Sequence, residues 1–248
     1  MKIVTAHQPA YLPWLGFFHK IALGDTAVIL DDVQFEKNSF TNRNRIKGPN
    51  GAFWLTVPVG LKGHMGKTIR EIGIDNSSLW AQKHLKAIEM NYGKAPYYRK
   101  YASFFRECYS MRWERLVDVN DFMLRWFLDQ LNIRTQISKM SDLNLRGRKA
   151  DLIADICSVS HADAFVFGAC GRDYADIGRF DKRDVGFYFQ DYRSPEYQQL
   201  HGAFVSNLSV VDLLFNHGPD SYDVLMRGNI QKEELCRHLS SAGASHEQ

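Results

Sequence analysis

Five short stretches of the chain carry residue types that do chemistry. The first is HQPAYLPW, where His7 and Gln8 directly follow an apolar β-branched run. A neutral imidazole there can accept a proton, bind a phosphate oxygen or ligate a metal. Gln8 offers both a donor and an acceptor, and Tyr11 and Trp14 can stack on a base or a sugar face. The second stretch is LDDVQF. Asp31 and Asp32 can hold Mg²⁺, bind a sugar hydroxyl or orient a base if the strand ends before them. If the strand continues they point to opposite faces and form no dyad. The structural alternative is that one of them caps a turn.

The third stretch is NSFTNRNRI. Arg43 and Arg45 share one side of an extended run, with Lys47 continuing it. Two guanidinium forks on one face suit a phosphate or carboxylate. Asn42 and Asn44 lie on the other side, where amides can read sugar hydroxyls. The bland alternative is a solvated hairpin face. The fourth is GACGRDY, a glycine-rich turn after a buried run. Gly168, Gly171 and Arg172 can cradle a phosphate or an oxyanion. Cys170 in that turn has no evident histidine partner and reads as an inert thiol. The last is the polar-aromatic stretch Pro195, Tyr197, Gln198, Gln199 and His201, which leads into a helix carrying Asp212, read as structural. The histidines show no zinc spacing, because His7 and His19 are far apart and no CxxC or HxxxH occurs. No metal site is expected.

These stretches need elements to position them. IVTA (3–6) and TAVILDDV (26–33) read as buried parallel strands around a helix at 14–23, a βαβ unit. PNG between two extended runs signals a hairpin turn, and TIREIGI (68–74) extends an antiparallel excursion over 43–74. The glycine-rich loop GLKGHMGK before it reads as surface. Apolar spacing at i, i+3, i+4 predicts helices from 77 to 131. A strand (135–143), a helix (150–162), two strands (164–168 and 185–192) and a helix (207–218) come next. The fold class expected is α/β: a mainly parallel sheet flanked by helices, with a β-hairpin excursion and a helical insertion at 77–132. It is read as one domain over 1–240, with 241–248 a disordered tail. Three polar clusters fall at strand ends, where such sheets bind ligands.

Composition narrows the classes. The chain has 248 residues, 45% hydrophobic and 24% charged, which are globular values. Aromatic residues at 13% are enriched, and many sit among polar neighbours, as in a lined groove. A formal charge of +3 is too small for a general nucleic-acid surface. Four cysteines without pairing motifs, no basic-then-apolar leader and no spanning run predict a cytoplasmic protein without a membrane span.

Taken together, HQPAYLPWLGFFHKI, DDVQFEKNSFTNRNRI, FWLTVPV and QLHGAFVSNLSVVDLLFNHG resemble the WbqC-like protein family, in order and over most of the chain. The resemblance implies a bacterial protein associated with surface polysaccharide (O-antigen) and amino-sugar modification. It assigns no catalytic residues. Where it leads one to expect a Ser/Gly-rich turn, this chain has GACGRDY. The resulting expectation is an enzyme transferring an acyl or aminoacyl group to a nucleotide-linked amino sugar. His7 would be the base, Asp31 or Asp32 would contact sugar hydroxyls or a metal, and Arg43 and Arg45 would hold the diphosphate. Tyr11 and Trp14 would pack on the base or sugar, and the turn at Gly168 would bind the second substrate. Two alternatives stay open: an ATP-dependent amide ligase or nucleotidyl-transfer-like enzyme, and a non-catalytic ligand-binding component of a glycan-assembly complex. The opening strand, His-containing loop and helix also resemble adenylate-forming enzymes, but a second histidine arrives only at His19. The cofactor is left unknown, with Mg²⁺ or an acyl donor as candidates. The partner is a small, phosphate-bearing molecule, and the oligomeric state is open.

Overall fold

The computed structural model describes residues 1–60, 66–143, 145, 147, 148, 150–173 and 185–243. The expected surface loop at 61–65, Tyr174 of the glycine-rich turn, the side chain of Cys170 and the tail at 244–248 lie outside the described residues. The chain runs β1 (Ile3–His7), α1 (Leu15–Ala22), β2 (Thr26–Ile29), then a hairpin of β3 (Arg43–Gly48) and β4 (Gly51–Thr56). Three helices come after it: α2 (Trp80–Tyr92), α3 (Tyr98–Ser110) and α4 (Leu116–Gln130). The sheet resumes with β5 (Gln136–Lys139), α5 (Ala150–Ser160), β6 (Ala164–Phe167) and β7 (Gly186–Phe189). Helices α6 (Val210–His217), α7 (Ser221–Met226) and α8 (Lys232–Gly243) close the chain.

Five strands form one sheet in the order β5-β2-β1-β6-β7, and every pairing is parallel. The central strands β1, β2 and β6 are buried on both faces, as a sheet covered on both sides requires. Along β1, Ile3 belongs to one hydrophobic cluster, with α1 and the helical block. Val4 and Ala6 belong to the other, with Leu152, Ile153 and Ile156 of α5. Side chains alternate between faces, so helices cover both sides. The crossover β1–α1–β2 steps one way along the sheet, and β5–α5–β6 steps the other. With right-handed crossovers that reversal puts α1 and α5 on opposite faces, as the two clusters show.

The helical block is continuous with the larger cluster. Phe18 of α1 meets Phe127 of α4 at 5.8 Å, and Phe105 of α3 meets Phe215 of α6 at 5.3 Å. Phe104 and Trp126 lie parallel at 3.9 Å. Truncating one of the fully buried rings, such as Phe127, removes contacts on all sides and costs about 3–5 kcal/mol.

Several expected boundaries move. β2 ends at Ile29, so Asp31 and Asp32 sit in a turn after it. Residues 68–74 do not extend the hairpin. Ile69–Glu71 is a single 3-10 turn, closed by a capping box between Thr68 and Glu71. The β-branched run suggested a strand, but the reciprocal cap satisfies the local donors first. Isolated bridges, Gln34 to Thr68 and Val59 to Ile74, tie the segment down. Helix α8 continues through Gly243, into the stretch expected to lack structure.

Buried polar chains fix the irregular parts. The Tyr11 hydroxyl lies 2.8 Å from Nδ1 of His84. The Tyr109 hydroxyl closes on Tyr11. Asp212 accepts from the Tyr92 and Tyr197 hydroxyls, both at 2.9 Å. Gln190 donates to His19 Nδ1, while His19 Nε2 donates to the Ile230 carbonyl.

Three histidines are thereby held neutral. Burial pulls His7 down to about 3, and His19 and His84 down to about 4. The unfolded chain protonates them near 6.5 and so binds more protons than the fold below that pH. Their contribution to stability is complete above about pH 6.5 and is lost as pH falls toward 4, by up to about 1.4 kcal/mol per unit for each group. Asp212, raised by burial, works in the opposite sense, one group against three. Urea midpoints measured at pH 7.5, 6 and 5 should therefore fall steadily. Equal midpoints across that series would rule this account out.

Candidate functional site

The strand order reverses at β1, so the connections leaving the carboxyl ends of β1 and β6 run in opposite directions, and the topology predicts a crevice between them. This is where open α/β sheets accept ligands. His7 ends β1 and Gly168 comes directly after β6. The Thr5 hydroxyl donates to the Val166 carbonyl at 2.8 Å and locks the two strands just below the opening.

His7 is positioned from both sides. Its Nδ1 lies 2.8 Å from the Gln8 carbonyl, which can only accept, so Nδ1 carries the proton. Nε2 therefore keeps a lone pair. The Phe17 ring meets the imidazole edge at 4.6 Å. Burial is the main cause of the low basicity of His7, and the Lys20 charge adds to it.

Lys20 is the residue that sequence reasoning missed. It lies three positions after Phe17 on α1 and so shares its face. Long helical side chains lean toward the helix N-terminus, and Nζ reaches the Ala6 carbonyl at 2.8 Å. The side chain is 5% exposed. Burial pulls its ammonium down to about 8. A lysine near the end of a helix carries no signal of this kind in the sequence. The one available clue was its place in GFFHKIA, where apolar residues surround it.

Asp31 and Asp32 are committed elsewhere. The buried Asp31 carboxylate accepts from Ser141 N at 2.9 Å and Ser141 Oγ at 2.6 Å, tying the end of β2 to the segment after β5. Asp32 pairs with Arg70 at 2.8 Å. Tyr11 cannot stack on a ligand, because it is fully buried and bonded at its hydroxyl. Trp14 packs edge-on against Tyr192 and lies over Gly16, where a Cβ would fall 2.2 Å from its ring. That approach accounts for the glycine.

The hairpin splits its polar residues by face. Asn44 is fully buried, donates to the Leu12 carbonyl at 2.7 Å and accepts from Arg45 N. Asn42 is buried as well and donates to the Val57 carbonyl. Asn44 braces the loop after β1, whereas Asn42 ties the start of the hairpin to the segment after β4 and keeps a buried Oδ1 without a partner among the described residues. Arg43 and Arg45 lie on the outer face with Trp54, which pairs directly with Arg45. The Arg43 guanidinium sits 4.4 Å from the Trp54 ring centre and that of Arg45 5.8 Å. Phe40 and Trp54 are 49% and 44% exposed, so this is an open cationic and aromatic surface. The hairpin is tied to the loop after β1, since Tyr11 N donates to the Phe40 carbonyl. At the other side of the crevice the exposed Arg172 lies 4.8 Å over Phe189. Gly171 packs on Phe167, where a Cβ would fall at 2.6 Å.

No group of three or more metal-binding side chains occurs among the described residues. No helix among them is long and apolar enough to cross a membrane. A polar cleft at the amino ends of the strands, lined by Asn132, Arg134 and Lys232, has its charge closed by the Asp25–Lys232 pair at 2.6 Å.

The WbqC-like family model matches residues 8–224, which take in the loop after β1, both arginines of the hairpin and the whole sheet after β1. The chain belongs to the WbqC-like protein family. It is 36% identical over 227 residues to the uncharacterized protein Rv1507c of Mycobacterium tuberculosis, covering 91% of this chain and 98% of that protein. No solved structure matches. The matched stretch takes in Lys20, Gly168 and the hairpin and begins one residue after His7.

The two acids of this WbqC-like chain should separate cleanly. Asp31→Ala strips two charge-assisted bonds from a buried site and should cost about 3 kcal/mol in urea unfolding. Asp32→Ala removes a partly exposed pair and should cost less than about 1 kcal/mol. Equal, small losses would mean that Asp31 is not the tie described.

Proposed function

We propose that the protein is an enzyme of bacterial surface-glycan or amino-sugar biosynthesis, transferring an acyl or aminoacyl group to the amine of a nucleotide-linked amino sugar. The observation that carries this reading is the His7 imidazole, whose Nε2 lone pair stands at the carboxyl end of β1 with its Nδ1 proton fixed on the Gln8 carbonyl. The family resemblance supplies the substrate class.

In this reading the sugar amine attacks the carbonyl carbon of an activated acyl donor. The C–N bond forms as the bond from that carbon to the donor's leaving heteroatom breaks. The amine proton passes to His7 Nε2 and from there to the leaving group. The amine becomes strongly acidic once it bonds to the carbonyl carbon, so a weakly basic imidazole suffices. Arg43 and Arg45 supply the positive charge for the diphosphate; the Arg43 terminal nitrogens, which donate to Asn38 in this structure, would exchange that contact for the ligand. Trp54, rather than Tyr11, is the exposed ring on which a planar base can lie.

Two measurements test this. Purified protein should be stabilised by a UDP-, dTDP- or GDP-linked amino sugar, and Arg43→Ala should abolish the shift. His7→Ala should keep the fold and lower turnover about 10²–10⁴-fold, the usual share of proton transfer. Stabilisation by ATP and not by any nucleotide sugar would replace transfer with ligation. Binding without turnover on any acyl donor would leave a ligand-binding component.

A further inference from the structure

Lys20 holds a second functional feature that the transfer chemistry above does not use. Its ammonium has three donors, and the structure gives it one acceptor, the Ala6 carbonyl. No carboxylate among the described residues pairs with it. Lys47, the other lysine buried to this degree, is treated differently by the fold. It donates to Gln199 Oε1 at 3.0 Å and the Ala203 carbonyl at 2.6 Å, and it feels the Asp212 carboxylate nearby. A buried cation without a counter-charge is costly, and folds keep such groups where they act.

The surroundings show where the missing partner would sit. The neighbouring imidazole, His7, is neutral and offers no counter-charge. On the other side is Gly168. A Cβ built there would meet, among the described residues, one atom within 4 Å: Lys20 Nζ at 3.5 Å. With no side chain at 168, a bare glycine backbone is what stands beside the ammonium on that side among the described residues. Gly168 does not need its flexibility, because its φ is not in the left-handed region. Its lack of a side chain beside the ammonium is what matters.

We propose that Lys20, approached past Gly168, is the binding point for an oxyanion of the ligand, a phosphate or carboxylate oxygen, at the crevice between β1 and β6. The inference shares with the transfer reading the location of the ligand and nothing of the reaction. The anion supplies the counter-charge that no described residue provides and sets one end of the ligand beside His7.

The experiment titrates the full-length protein with pyrophosphate and with malonate at constant ionic strength, following the melting temperature and the heat of binding. Wild type should be stabilised saturably by at least one of the two. Pyrophosphate alone would identify a phosphoryl source, malonate alone a carboxylate source. Lys20→Met should weaken binding at least tenfold while melting no lower than wild type without ligand, because it removes an uncompensated buried charge. Gly168→Ala places a methyl beside the ammonium without a clash and should weaken binding as much with its fold intact, so it carries the test if Lys20→Met does not fold. Unchanged binding in both variants, or no saturable binding by wild type, would overturn the proposal. Anion binding that depends on Lys20 in a protein that turns over no amino sugar would sink the transfer reading and leave this one standing.

Discussion

Everything in the molecule that can do chemistry depends on the reversal of strand order at β1. Five parallel strands cannot be joined without crossovers, and right-handed crossovers in opposite directions force α1 and α5 onto opposite faces. The chains leaving β1 and β6 then diverge instead of packing together. The crevice is thus a consequence of topology, present before any side chain is chosen. The side chains decide what it accepts. His7 and Gly168 stand at its two lips because one ends β1 and the other comes directly after β6. Lys20 reaches it because its stem leans back along α1 toward the Ala6 carbonyl.

The polar groups outside the crevice serve mainly to hold irregular backbone still. The loop after β1 contains two prolines, and it cannot bond to itself as a helix would. Asn44 takes the Leu12 carbonyl, Tyr11 N takes the Phe40 carbonyl, and the Tyr11 hydroxyl joins His84 and Tyr109. The loop is therefore fixed by the hairpin on one side and by α2 and α3 on the other. The helical block is the buttress of the loop that carries His7. Asp212 plays the same part further along, gathering Tyr92 and Tyr197 so that the stretch around Pro195 lies against α2.

The sheet and its polar ends were legible in the sequence because both rest on local rules. Buried parallel strands are short apolar runs, and the chain must turn at their ends. IVTA, TAVI and AFVF each said as much, and the polar residues after them marked the carboxyl edge. The hairpin was legible from PNG. What was not legible needed knowledge of partners. TIREIGI has strand composition, but Thr68 and Glu71 cap each other and close a 3-10 turn. Tyr11 and Asn44 look like ligand contacts because aromatic rings and amides do recognise sugars; buried in a core, the same groups bond to the protein. Asp31 looks like a metal ligand or a contact for sugar hydroxyls, and only the placement of Ser141, far along the chain, shows where its lone pairs go. Lys20 is the opposite case. Its type and position are ordinary, and its meaning comes from the lack of a paired carboxylate among the described residues, which no local pattern can encode.

The two surfaces that remain open to a ligand differ in kind, and the difference comes from their settings. Around Trp54 the arginines are partly solvated and stack on an exposed ring, so charge there is screened and contact is broad. Such a surface attracts and orients a large, planar, negatively charged partner without fixing any one atom closely. At Lys20 the charge is buried beside a bare glycine, where the low dielectric magnifies each contact. That setting selects a single oxyanion and holds it beside an imidazole of defined tautomer. A ligand long enough to use both would be recognised by its planar, charged end at the hairpin and placed by its other end at the crevice. The loop from Gln8 to Trp14 runs from the end of β1 to the start of α1 and is bonded to the hairpin. Through it the fold sets the distance between those two ends, so the length of the ligand is measured by an irregular segment that the hairpin and the helical block hold in place.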